Sequence, residues 1–361
     1  MYGEARQTHL MHSTTKNLRV GIVGAGHMGA IHARHWAAVP GARVVGLADS
    51  RRAVADALVA RYPGARVHGD VEALLVSGID VVSVCVPTDG HASVVGQTLR
   101  AGVPTLCEKP LALTVADCDA MIAARDASVT LLTVGHVVRF FPEFANAKRL
   151  IDSGAIGTPA VARVRRGGDF PRSEWFGDPA RSGGVIADLV VHDLDWLQWC
   201  FGPITRVYAR SLTGGGTGKR ADHLDYALLT MRHESGVISH AEGTWADPGG
   251  FVTTFDLAGD GGLLTHDSRR SASLVKSSRA TDGGSARVNV PVSPLAAGDD
   301  PFYRQIAAFA RSVTEGVPVA VPAEDARRAV AVAAAARESA RTGRAVEIRE
   351  RAGPDFPRRP S

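Results

Sequence analysis

Three groups of residues have the types and spacing to do chemistry. Gly24-Ala25-Gly26-His27-Met28-Gly29 is a GxGxxG. Its glycines permit a tight turn and close approach to a pyrophosphate, whose charge would rest on the N–H groups opening the next helix. Asp49 stands 20 residues after Gly29 at the end of an apolar run, where a carboxylate would accept hydrogen bonds from a ribose diol. Ser50, Arg51 and Arg52 follow and could hold a 2′-phosphate instead, so NAD is expected and NADP stays open.

The second group is Glu108-Lys109-Pro110, closing a β-like run. Proline holds Lys109 extended and allows a cis bond, so the ammonium is aimed and can polarise a carbonyl or alcohol oxygen. A solvated lysine at a strand end is the plain alternative. In the third group, Asp188 and His192 are four apart in a strongly apolar helical run, with Asp195 near the same face. Unpartnered polar groups there would be costly. A carboxylate beside an imidazole would orient the ring and tune it as an acid/base; a buried hydrogen-bond network is the alternative. A zinc site lacks a third His or Cys at a suitable spacing.

These groups need a scaffold. From Leu18, β-rich runs alternate with helical stretches: LRVGIVG, HMGAIHARHWAAV, ARVVGLAD, RAVADALVARY, DVVSVCVP, DGHASVVGQTLRAG, PTLCEKP, TVADCDAMIAARDAS and VTLLTVGH. This predicts a doubly wound parallel α/β sheet over 18–140. A helix at FFPEFANAKRLIDSG then leads into TPAVARVRR, TRVYARS, DYALLTMRH and GVISHAEGTWA, broken by Gly-rich turns. An α+β domain with a mainly antiparallel sheet is expected over 141–348. Residues 267–300 read as hairpins or a mobile loop, and 301–316 and 323–342 as helices. The segments 1–17 and 349–361 read as flexible tails.

Composition narrows the classes. At 361 residues, 45% hydrophobic and 22% charged, the chain should fold around large cores. Its net charge of +4 lies mostly in the tails, which argues against nucleic acid or an anionic membrane as partner. No apolar leader and no run of membrane-spanning length is present. Cys85, Cys107, Cys118 and Cys200 form no CxxC pair and suit a reducing, cytoplasmic setting.

In this order the elements resemble the glucose-fructose oxidoreductase/inositol dehydrogenase (Gfo/Idh/MocA) family over about residues 18–345. The matching residues are Gly24 to Gly29, Asp49, Val86 to Ala92, Glu108-Lys109-Pro110, the Ser182 to Val185 turn and Asp188 to Asp193. The resemblance implies NAD(P)-dependent hydride transfer on a sugar or cyclitol and a homodimer or homotetramer formed through the open sheet. It gives Lys109 the reacting oxygen, His192 the acid/base role, and Asp188 the holding of substrate and of His192. It sets Thr88 and His91 along the cofactor and Glu108 near its nicotinamide end, with His136, Arg139 and Trp175 lining the cleft. Trp175-Phe176 stands where relatives often have Trp-Arg. Redox-assisted glycoside cleavage with held NAD, and a non-catalytic sensor, are the other readings. Arg163, Arg165, Arg166 and Arg172 raise a phosphorylated or nucleotide-linked sugar, against solvated sheet-face arginines.

Overall fold

The computed structural model describes residues 17–171, 173–212, 225–247, 250–270, 274–279, 285–289 and 300–348. The expected tails lie outside the described residues, apart from Asn17. So does much of 267–300, whose described parts include a hairpin of β13 (Leu274–Arg279) and β14 (Ser285–Asn289).

Six parallel strands form the first sheet: β1 (Leu18–Val23), β2 (Ala42–Ala48), β3 (Arg66–His68), β4 (Val81–Val84), β5 (Thr105–Cys107) and β6 (Leu132–Val134), in the order β3-β2-β1-β4-β5-β6. Strand order reverses between β1 and β4, the place where a doubly wound sheet opens a ligand crevice at its carboxyl edge. The strands are apolar on both faces because helices cover both: Val20, Ile22, Val81, Val82 and Leu106 are fully buried. Helix α1 (His27–Ala38) buries Trp36, whose indole donates to Ser83 Oγ at 2.8 Å. Helices α2 (Arg52–Val59), α4 (His91–Arg100) and α5 (Val115–Ser128) follow the expected runs. β3 and α3 (Val71–Val76) were not foreseen: neither is long enough to repeat its period twice, and α3 starts from an Asp70 cap on Ala73 N at 2.8 Å.

After α6 (Pro142–Asp152) the chain builds a nine-stranded sheet from β7 (Pro159–Gly167), β8 (Ile204–Leu212), β9 (Tyr226–His233), β10 (Ile238–Thr244), β11 (Val252–Gly259), β12 (Gly262–Asp267), β13, β14 and β15 (Val346–Glu347). Its order is β14-β13-β12-β11-β7-β10-β9-β8-β15, antiparallel except for β7 beside β10. Alternation is clean: Ala227, Leu229 and Met231 of β9 point inward, Leu228, Thr230 and Arg232 outward. After the one-turn α7 (Pro179–Ser182), helices α8 (Val191–Phe201) and α10 (Ala323–Thr342) cover the inner face. Phe144, Trp196 and Phe255 meet there with ring centroids 5.0–5.3 Å apart.

Late in the chain, α9 (Pro301–Glu315) returns to the first sheet. Asp300 caps it through Phe302 N at 2.9 Å, and Ile306, Phe309 and Ala310 join the core of Trp36. Val321, Ala326 and Val330 pack with Val84, Cys107 and Val134. Helix α10 is therefore shared by the two sheets, packing against β6 of the first and against β8 and α8 of the second. No helix among the described residues is long and apolar enough to cross a membrane.

Candidate active site

At the end of β1, Gly24 adopts φ +92, and a Cβ there would lie 2.5 Å from the Cys85 carbonyl oxygen. A Cβ on Gly29 would meet the Gly24 carbonyl oxygen at 1.8 Å. Both glycines are required by the protein's own packing. Gly26 differs: a Cβ there would find only Arg51 Nη2, at 3.9 Å, so the open side of the turn is vacant of protein where a pyrophosphate would approach. His27 is exposed and Met28 half-buried beside it. Asp49 accepts from Ala25 N at 2.7 Å and Arg51 N at 2.8 Å, leaving each oxygen a further lone pair for a ribose hydroxyl. Ser50 and Arg51 are exposed beside it, with Arg51 Nε 3.6 Å from Asp49, and Arg52 is drawn to Asp56 at 3.1 Å. The turn and the acid fit a dinucleotide.

Beyond β5 the Lys109-Pro110 peptide is cis. Lys109 Nζ donates to the Asp188 carbonyl oxygen at 2.8 Å and to Asp188 Oδ1 at 2.9 Å. Glu108 points back into the fold, with Oε1 2.9 Å from His32 Nε2 and Oε2 accepting from Lys109 N at 3.1 Å. It fits because position 135 is glycine: a Cβ there would lie 2.8 Å from Oε1. Burial works to raise the Glu108 pKa, but the hydrogen bond from His32 and the charge of Lys109 outweigh it, so the carboxyl titrates below its usual value. His32 was not singled out in the sequence. Its signal was its place four residues before buried Trp36, which puts a polar ring on the helix's inner face.

Asp188 sits in a π-helical turn, Ile186–Val190, directly before α8. Such turns often mark functional positions. The expected Asp188–His192 pair does not form, because the ammonium of Lys109 takes both the carbonyl and the carboxylate of Asp188 in stronger, charge-assisted bonds. His192 Nδ1 is buried without a partner among the described residues. Burial first, then the charges of Lys109, Arg166 and His136, push the His192 pKa well down, so the ring is neutral. His136 is fully buried, its Nδ1 3.9 Å from Asp195 Oδ2 but neither ring nitrogen hydrogen-bonded among the described residues, and it stands edge-on to His192 at 6.4 Å between centroids. Burial lowers its pKa as well.

The other expected site residues are placed as follows. Thr88 is buried and opens the 3₁₀ turn Thr88–Gly90. His91 directs Nδ1 at the Pro110 carbonyl (2.9 Å) and Nε2 at that of Val86 (3.0 Å), bracing the loops after β4 and β5 instead of facing a ligand. Trp175 is half-buried and stacks on Phe176 at 3.9 Å. Arg139 does not present its guanidinium to the cleft: Asp195 takes it in a fork at 2.8 and 2.5 Å, and Asp325 binds Nη1 at 2.9 Å. Arg166 is likewise forked on Asp193 at 2.9 and 2.8 Å, and Arg165 is held by Glu242 and Asp247. Arg163 is exposed on the outer sheet face, and Arg172 lies outside the described residues. Arg165 and Arg166 are thus taken up by carboxylates among the described residues. Among the described residues no group of three or more His, Cys, Asp or Glu could hold a metal ion.

A doubly wound sheet with a fitted glycine turn, followed by an open sheet covered by the helical segment that carries Asp188 and His192, defines an NAD-binding oxidoreductase fold. Residues 18–136 match "Oxidoreductase family, NAD-binding Rossmann fold" and residues 144–265 match the "GFO/IDH/MocA C-terminal domain". The chain is 30% identical to "Inositol 2-dehydrogenase 1" of Saccharopolyspora erythraea over 92% of its length and 96% of the relative's. It is 27% identical to "Myo-inositol 2-dehydrogenase" of Thermotoga maritima over 92% of its own length and 99% of the other's. Among solved structures, GenD2 from gentamicin A biosynthesis, in complex with NAD, superposes with a TM-score of 0.80 at 26% identity over 97% of this chain and 100% of that one. The protein belongs to the Gfo/Idh/MocA family of oxidoreductases.

Proposed function

We propose that the protein transfers hydride between a secondary hydroxyl of a cyclitol or sugar and NAD. The observation that carries this reading is the state of Lys109. An ammonium has three N–H donors, and Asp188 engages two of them, leaving a third on a fixed group at the sheet's carboxyl edge. That donor would hold the reacting oxygen and stabilise it as it becomes anionic. His192, kept neutral by burial and by nearby cations, offers a ring nitrogen lone pair to the departing hydroxyl proton and returns it in the reverse direction. A bound nicotinamide would supply the carbon that accepts or gives up hydride. Gly24, Gly26, Gly29 and Asp49 would hold the rest of that cofactor, and Asp49 favours NAD over NADP because its charge opposes a 2′-phosphate.

The polyol class is supported by His136, whose Nε2 has no hydrogen bond among the described residues and would offer one to a hydroxyl beside the reacting one. Relatives named for inositol oxidation point the same way. Leu212, Leu228 and Ile238, exposed on the outer sheet face, support association through that face. The deciding experiment is a panel of inositols, hexoses, sugar phosphates and nucleotide sugars with NAD+ and with NADP+, read by the absorbance of reduced nicotinamide. Turnover of an unphosphorylated polyol with NAD+ is expected. Absence of reduced cofactor with every polyol, or sugar released with no net reduction, would refute the assignment.

A further inference from the structure

The carboxyl edge of the first sheet holds a second buried polar pair that the proposed reaction does not use. Glu108 and His32 have side chains 8% and 0% exposed and lie 2.9 Å apart. An ionised carboxylate only accepts, so His32 Nε2 carries the ring's proton. His32 Nδ1 is buried with no partner among the described residues. A cationic ring would leave a charged N–H unsatisfied there, whereas a neutral ring leaves only a bare lone pair, the cheaper arrangement. The pair therefore keeps the full negative charge of Glu108. Lys109 offsets it only in part, because its ammonium is bound to Asp188.

The position of that charge follows from its neighbours. Glu108 directly follows β5, its N–H donates at 2.9 Å to the carbonyl oxygen of Val84, which ends β4, and its carboxylate lies against Gly135 just past β6, where a Cβ would come within 2.8 Å of Oε1. In a doubly wound sheet a dinucleotide crosses the carboxyl ends at the strand-order reversal. With its phosphates at the glycine turn beside β1, its nicotinamide half must extend over β4, β5 and β6, where Glu108 lies.

We propose that Glu108, held in place by His32, is a fixed negative charge that makes this protein bind the oxidised, cationic nicotinamide in preference to the reduced, neutral one. The inference rests on the cofactor site proposed above but not on the identity of the substrate. Hydride carries two electrons and one proton to the ring and abolishes its positive charge, so the attraction exists on only one side of the transfer. Glu108 thus holds NAD+ and lets NADH go, while His32 is a positioning residue that keeps the carboxylate ionised and aimed.

The test is equilibrium binding of NAD+ and of NADH, each alone and without substrate, to the full chain by calorimetry. Glu108→Gln, which keeps shape and removes charge, should raise the NAD+ dissociation constant about tenfold, as expected for one charge acting across several ångströms of protein, and move that of NADH by less than about twofold. His32→Leu should shift the ratio the same way, and His32→Gln, which restores an N–H donor, should keep it near wild type. Circular dichroism and thermal unfolding verify folding; if Glu108→Gln does not fold, the two His32 variants decide. A ratio unmoved in folded variants, or equal weakening of both nucleotides, overturns the inference while leaving the dehydrogenase reading intact. A wild-type chain that binds neither nucleotide overturns both.

Discussion

One helix presents two kinds of polar group. In α8, Asp193 and Asp195 each receive a two-pronged guanidinium, from Arg166 and Arg139, and both pairs are buried and saturated. His192 lies on the same turn of the same helix, and its buried Nδ1 has no partner among the described residues. Neighbouring His136 makes no hydrogen bond among the described residues through either nitrogen, its Nδ1 lying 3.9 Å from Asp195. Burial alone cannot explain the difference, since all four side chains lie in the same core region. Saturated pairs satisfy the fold's own electrostatics. Open nitrogens are tolerated where a ligand completes them, and His136 and His192 leave theirs without hydrogen bonds side by side, 6.4 Å between ring centroids.

The largest effect should separate these classes by rate. His192→Asn is expected to lower kcat by about 10²- to 10⁴-fold, the usual worth of a positioned acid/base, with NADH affinity changed less than about twofold. Steady-state rates and fluorescence titration check both parts, and a wild-type rate would remove His192 from the chemistry. Asp195→Ala should act on stability, since it leaves the buried Arg139 guanidinium with only Asp325. A loss of about 3–5 kcal/mol by urea unfolding is expected for breaking such a pair. A loss below about 1 kcal/mol would mean that the pair is not saturated by burial as described.

The saturated class also carries a pH signature. His233 is buried between the Gly202 carbonyl (2.8 Å) and Ser239 Oγ (2.9 Å), and burial lowers its pKa to about 4. The unfolded chain takes up this proton near pH 6.5 and the folded chain only near 4. The neutral ring's contribution to stability is therefore complete above about 6.5 and lost as pH falls through that window, about 3 kcal/mol in all. His91, His136 and His192 are lowered as well and add in the same sense. Urea midpoints between pH 7 and 4 should fall steadily in wild type and less steeply in His233→Asn; parallel curves would show that His233 does not contribute.

Both halves of the architecture were legible because each carries a long-range pattern: the βα alternation after Leu18, and the alternating strands of β9 and β10. The glycine turn and Lys109 were legible because local backbone demands restrict residue type. Partner choice was not. Asp188 four residues from His192 looks like a pair, yet a lysine 79 residues earlier in the chain claims the carboxylate. Arg139 likewise looked available until Asp195 and Asp325 came within reach, from helices that only the fold brings together. His32 lay hidden because its partner Glu108 is 76 residues away. Competition among side chains distant in sequence is a property of packing, and spacing along the chain cannot express it.

The finest test of saturated against open groups lies in two glycines three residues apart. Gly29 is closed off by protein, with any Cβ driven into the Gly24 carbonyl oxygen at 1.8 Å, so Gly29→Ala must displace the turn and should destabilise the fold by about 1–3 kcal/mol. Gly26 has φ −69 and ψ −161, which alanine adopts freely, and a Cβ there would meet only the end of the Arg51 side chain, in ordinary contact at 3.9 Å. Gly26→Ala loses a little as a helix cap and gains a little by restricting the unfolded chain, so its stability should stay within about 1 kcal/mol of wild type. The added methyl would instead occupy the side from which the pyrophosphate approaches, weakening NADH binding about tenfold, or about 1.4 kcal/mol. Thermal unfolding beside fluorescence titration of both variants reads the two effects separately. If Gly26→Ala bound NADH as tightly as wild type, the vacant side of the turn would not be where the phosphates rest.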